Sequence, residues 1–144
     1  MRKAGYELLP HTTDAYIQAW GETLEQAFGS AGTALFDTMC NATSVVPTST
    51  EEIQLSGIDE ISLLYDWLES LLLKFELDGM VYSRFDVSQI KKFNDSYHSS
   101  AKVSGEKYDR HKHGAKVEVK AVTLHKMEIL HDDSKTTLRF ILDL

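Results

Sequence analysis

Between Leu77 and Met80 the spacing of apolar residues changes from the period of a helix to that of a strand, and Asp78-Gly79 stands at the change. Before it, Ile61, Leu64, Tyr65, Leu68, Leu71, Leu72 and Phe75 recur at i, i+3, i+4 and i+7, the stripe of an α-helix that Asp59 can cap. Leu63, Trp67 and Leu73 add apolar surface on other faces, so this helix needs cover on more than one side. After the turn, Val81, Phe85 and Val87 share one parity, as do Val117, Val119 and Ala121, and then Leu138, Phe140 and Leu142. A long helix followed by alternating strands restricts the chain to the α+β class, with the sheet packed on helices.

The first half fits the same plan. Ala15-Tyr16-Ile17-Gln18-Ala19-Trp20 reads as a strand closed by Gly21. Thr23 with Gln26 three residues later is a capping-box signature, and Leu24, Ala27, Phe28, Ala31, Leu35 and Met39 follow at helical spacing. Ile53 and Leu55 mark a second strand before Gly57. The polar stretch from Asn94 to Gly114 is expected to hold a strand between Ser99 and Glu106 flanked by loops, and His131-Asp132-Asp133-Ser134-Lys135 reads as a hairpin turn. The expectation is a single α+β domain over residues 1–144, a mainly antiparallel or mixed sheet packed against two principal helices.

Composition removes several function classes. With 144 residues the chain can bury a sizeable core without staples, and its one cysteine, Cys40, excludes a disulfide framework and any multi-cysteine zinc site. The net charge is −7 and the isoelectric point near 5.3, without the basic stripe that releases phosphate counterions. Lys107-Tyr108-Asp109-Arg110-His111-Lys112-His113 is short and broken by Asp109, so no direct nucleic-acid binding is expected. Met1-Arg2-Lys3-Ala4-Gly5-Tyr6-Glu7 has no apolar signal region and no apolar run approaches a membrane span, which points to a cytoplasmic protein with no membrane partner.

Few residues offer chemistry. Gly29-Ser30-Ala31-Gly32 lies inside a helical pattern and lacks the lysine of a phosphate-binding loop, and no nucleophile elbow is present. His98, His111, His113, His125 and His131 are scattered through polar segments; His111 and His113 would share a strand face, but such histidines are ordinarily solvated. Trp20 and Trp67 read as core. Asp14 stands directly before the first strand, while Asp143 and the Leu144 carboxylate end the last one. If those strands are neighbours, three carboxylates converge, a hard-oxygen set suited to Ca²⁺ or Mg²⁺. Taken alone, each has a plainer role, Asp14 as a turn residue and Asp143-Leu144 as an exposed chain end. The strongly apolar Leu138-Arg139-Phe140-Ile141-Leu142 favours an end that is held still. Lys120 reads as a solvated charge on the open face of a strand.

Several blocks, in order along the chain, resemble the archease family. They are His11-Thr12-Thr13-Asp14 running into Ala19-Trp20-Gly21-Glu22-Thr23-Leu24-Glu25-Gln26-Ala27-Phe28, then Leu64-Tyr65-Asp66-Trp67-Leu68-Glu69. Gly105-Glu106, Asp109 and His113 follow, with Glu118-Val119-Lys120-Ala121-Val122-Thr123 and the closing Arg139-Phe140-Ile141-Leu142-Asp143-Leu144. The family more often has Ala at Thr13, Val or Ile near Ala15, and tyrosine-histidine where this chain has Leu124-His125. The resemblance implies a non-catalytic activator of the RtcB-type tRNA-splicing ligase, promoting its guanylylation and repeated turnover and broadening the nucleotides it accepts. It implies a divalent cation, Ca²⁺ before Mg²⁺ or Mn²⁺, on Asp14, Asp143 and the Leu144 carboxylate, and a role for Lys120 in activation. Two other classes stay open: a chaperone or modulator of DNA- or RNA-processing proteins, and a metal-dependent hydrolase using the same carboxylates.

Overall fold

Thr23 is the N-cap of the first helix, α1 (Leu24–Met39), and its hydroxyl accepts the Gln26 N–H at 3.1 Å. The Gln26 amide reaches back to the Glu22 N–H at 2.9 Å, so two donors at the helix start are satisfied. Asp59 caps α2 (Glu60–Asp78) in a full capping box with Ser62, and Gly79, at φ 65°, ends it by donating to Lys74 and Phe75 carbonyls. That left-handed conformation is why glycine sits at the change of period. The structure, a computed structural model, describes residues 3–11 and 13–144.

The strands are β1 (Gly5–Leu9), β2 (Ala15–Gly21), β3 (Ser49–Gly57), β4 (Met80–Val87), β5 (Lys91–Phe93), β6 (Ser96–Lys107), β7 (Ala121–His131) and β8 (Thr136–Asp143). A single helical turn, α3 (Arg110–His113), follows β6. The class is α+β as expected, but the strands divide into two antiparallel sheets, β1-β2-β8-β7 and β3-β6-β4, with β5 paired to β6. Both helices touch strands of both sheets, and one continuous cluster of buried residues runs through all of them. This accounts for the apolar surface around α2: Leu63, Leu64, Trp67, Leu68, Leu71 and Leu72 are all buried. The Trp67 indole N–H donates to the Phe28 carbonyl at 2.8 Å, tying α2 to α1, and Cys40 is fully buried.

Three expectations are corrected. A strand, β1, precedes the one beginning at Ala15; it lies at the sheet edge with no alternation to betray it. The strand expected around Val117–Ala121 begins only at Ala121 and extends to His131. The middle of that stretch is instead spent on the end of α1: the Lys116 and Val117 N–H groups donate to the Met39 and Thr38 carbonyls at 3.0 and 3.3 Å. Carbonyls left open at a helix C-terminus are obligatory acceptors, and they take the amides that a ladder would have used. The strand placed at Ser99–Glu106 spans Ser96–Lys107 and joins β5 in a tight hairpin. The turn at His131–Lys135 is as expected, with the Asp132 carboxylate accepting the Ser134 and Lys135 N–H groups.

Candidate functional site

The position of β8 between β2 and β7 builds the site. Both neighbours run antiparallel to it, so its last residues lie beside the first residues of each: Leu142 opposes Ala15 on β2, and Asp143 opposes Ala121 on β7. Asp14 directly precedes one partner and Lys120 the other. The Leu144 N–H accordingly points at Asp14 Oδ1, 3.4 Å away, and the Lys120 N–H donates to the Asp143 carbonyl at 2.7 Å. All four residues singled out in the sequence thus meet at one end of one sheet. The Leu144 side chain packs partly buried on the core, so the terminal segment is seated. Asp143 is exposed, as is Lys120, whose ammonium makes no ion pair with a described residue.

A groove of about 440 Å³ opens beside this cluster, between β1, the end of α1 and the 116–117 segment; Asp14, Leu144, His11 and Lys116 line it. So does Asp37, on the last full turn of α1, a residue that no sequence motif marks. Tyr6 donates its phenol hydrogen to Asp37 Oδ2, and Lys116 Nζ lies 3.3 Å from Asp37 Oδ1 and 2.9 Å from the Asp37 carbonyl. Burial works to raise the Asp37 carboxyl, but the hydrogen bonds from Tyr6 and Lys116 and the lysine's charge outweigh it and hold the group below its ordinary value. Burial first, then the bond to Asp37, pushes the Tyr6 phenol up to about 12. The triad clamps β1 and the 114–120 segment to α1 and thereby fixes the groove walls.

The donor set suits a hard cation. Asp14 and Asp143 supply carboxylate oxygens beside the chain end, and hard divalent ions prefer such oxygens with water in the remaining positions. Among the described residues no three His, Cys, Asp or Glu side chains form a metal-holding group.

His111 and His113 go elsewhere. His111 and His113 sit on the helical turn α3, not on a strand, so they do not share a face: His111 is exposed and the His113 ring is fully buried. His113 Nδ1 accepts the Asp109 N–H at 2.9 Å, which places the ring hydrogen on Nε2, 2.9 Å from Glu106 Oε2. Glu106 also takes Lys112 Nζ at 2.8 Å and the Val46 N–H at 2.9 Å. The lysine bond foremost, then the Val46 amide and His113, lower its carboxyl to about 2. This is a structural anchor that ties α3 to the loop after α1. A carboxyl depressed in the fold contributes stability above its ordinary value near 4.5 and loses it as pH falls through about 2. We expect Glu106 to titrate near 2 by carboxyl NMR, and Lys112→Ala to move that midpoint toward 4.5.

No helix among the described residues is long and apolar enough to cross a membrane. The model of the archease protein family (MTH1598/TM1083) matches residues 6–144. The chain is 36% identical over 139 residues to a protein archease of Methanopyrus kandleri, covering 96% of this chain and 99% of that one. It is 41% identical over 124 residues to one of Pyrococcus abyssi, covering 86% and 87%. The solution structure of protein 1598 of Methanobacterium thermoautotrophicum superposes with a TM-score of 0.82 at 35% identity, over 97% of this chain and 99% of that one. A crystal structure from Thermotoga maritima, described as an archease and possible chaperone, shares the fold at 18% identity with a TM-score of 0.60, over 100% and 98% of the two chains. By the extent of the family match and by the identity of these relatives, the chain belongs to the archease family.

Proposed function

We propose that this protein is a non-catalytic activator of an RtcB-type tRNA-splicing RNA ligase, promoting guanylylation of the ligase and its repeated turnover. The observation that carries this reading is the β2-β8-β7 order, which brings Asp14, Lys120, Asp143 and Leu144 to one sheet end. Asp14, Asp143 and the Leu144 carboxylate would hold a divalent cation, Ca²⁺ or, with the same donors, Mg²⁺ or Mn²⁺. Bound there, the ion supplies positive charge for phosphate oxygens. Lys120, exposed and in no ion pair with a described residue, would meet a phosphate or an acidic group of the ligase. The net charge of −7 favours approach to the positively charged surface of an RNA-binding partner. The protein would act in the cytoplasm.

The test mixes the protein with its ligase and follows GMP transfer over several turnovers. Lys120→Ala is expected to lower turnover by roughly tenfold or more, the scale for losing one charged group at developing negative charge. Its melting temperature should stay within about 2 °C, because an exposed substitution away from the core is close to neutral. Normal turnover in this variant would remove Lys120 from the activating surface.

A second reading, a chaperone of nucleic-acid-processing proteins, is favoured by the words describing the Thermotoga maritima structure and by Leu8 and Val117, exposed beside the groove. Suppression of aggregation of an unrelated client, unaffected by Lys120→Ala, would support it over ligase activation.

A further inference from the structure

The second sheet has an uncovered face. Ile53, Leu55, Ala101 and Val103 are buried on one side of β3 and β6, where α2 packs. Residues of the opposite parity face away from that core. There β5 folds beside β6 and makes a shallow cup of about 550 Å³ with Gln54, Ser88, Lys91, Phe93, His98 and Ser100 at its wall. In a chain of net charge −7, no aspartate or glutamate is among the described residues lining it.

The cup is preformed. Lys91 opposes His98 on β6, His98 opposes Ser56 on β3, and Gln54 opposes Ser100, so these side chains stand in adjacent rows of one face. Asn94 and Asp95, at φ 50° and 60°, make the two-residue turn that fixes the hairpin. The Ser88 hydroxyl donates to the Ser100 carbonyl at 2.6 Å, and the Ile90 N–H donates to Glu25 Oε2 on α1 at 2.7 Å, which pins the approach to β5.

Its chemistry is specific in kind. Phe93 is 66% exposed, and His98 meets its ring at an interplanar angle of 67° with centroids 6.4 Å apart, so the ring keeps an open face. Lys91 makes no ion pair with a described residue, and Lys92 lies over the Tyr97 ring at 5.9 Å. Glu52 and Asp86 flank Lys102 one row further along and are outside the cup. An open aromatic ring, an unpaired lysine, an imidazole, amides and hydroxyls on a rigid sheet face match a base, a phosphate and a sugar.

The geometry points to a nucleotide site on this face, in which a base stacks on Phe93 while Lys91 and His98 take its phosphate. The nucleotide is a free one or one unit of a single RNA strand; paired RNA hides its base faces from such a platform. This departs from the expectation drawn from net charge, because a total of −7 does not describe one patch. It stands independently of the ligase reading.

The test uses the intact protein with GMP by calorimetry and a labelled single-stranded uridine octamer by fluorescence anisotropy, at low and physiological salt. The expected result is saturable binding of at least one probe, weakened about five- to hundredfold by Phe93→Ala. Lys91→Gln should weaken octamer binding and reduce the salt slope by about 0.7. Neither variant should alter melting, since among the described residues β5 contacts no element besides β6. Octamer binding much tighter than GMP identifies an RNA strand, and equal affinities identify a free nucleotide. Absence of binding for both probes, or binding unchanged in Phe93→Ala, overturns the site.

Discussion

A Gly-Ser extension after Leu144 is expected to weaken divalent-cation binding at least about tenfold and to lower ligase turnover in parallel, with no change in melting temperature. Losing groups that merely orient metal ligands costs ten- to a hundredfold in affinity, so a lost ligand sets a floor of that size. Extension turns the Leu144 carboxylate into a peptide carbonyl, which is neutral and a weaker donor. The fold should survive, since Leu144 keeps its seat on the core and its N–H keeps Asp14. Calorimetry with Ca²⁺ reads the first effect and multiple-turnover GMP transfer the second. A frayed chain end would be indifferent to the extension. Equal cation affinity and equal activation in the extended protein would exclude the terminal carboxylate.

Gly105→Ala is expected to destabilise the protein by about 3 kcal/mol or more, or about 10 °C in melting temperature. A Cβ at Gly105 would lie 1.8 Å from the Val81 carbonyl oxygen and 2.7 Å from Tyr82 Cα. Those are backbone atoms of the neighbouring strand, so no side chain can swing aside. The register of β4 on β6 shifts between Tyr82 and Arg84, next to this contact, which gives the close approach its cause. Urea titration measures the effect, and a loss below about 1 kcal/mol would mean that the strand can retreat at little cost. Gly79, with open space around its Cβ position but φ 65°, is constrained through its backbone instead.

The two principal helices were legible because each carries local signals that agree with one another. Thr23 with Gln26, Asp59, and the glycine after Asp78 sit within a turn of the helix ends they specify. β2 was legible through alternation against a one-sided core, and β8 through its strongly apolar run, which is buried at both parities. β1 was not: it is five residues at an edge, with exposed Glu7 and Leu8 together, and its pairing partner supplies most of its reason to be extended. The stretch from Val117 to Ala121 alternates as a strand should, yet the Lys116 and Val117 amides answer to α1 carbonyls 77 and 79 residues earlier in the chain. Periodicity reports what a segment can bury, and says nothing of which distant acceptor will claim its amides.

The candidate site shows the same division. Residue type offered Asp14, Asp143 and Leu144 as hard-oxygen donors beside plainer roles as a turn residue and a chain end, and the resemblance made them the implied ligands and added Lys120. Asp37 carried no sequence signal, because its partners Tyr6 and Lys116 are 31 and 79 residues away. The sequence by itself determined the α+β class, the helix boundaries and the chemical character of the candidate ligands, since these follow from local propensity, capping and parity. Only the tertiary structure decided that the strands form two sheets and that β8 runs between β2 and β7. It alone set Lys120 beside Asp143, and Phe93 with Lys91 on an open face. Pairing order and register are long-range choices, settled by packing against both helices at once, and no window of the chain contains both partners.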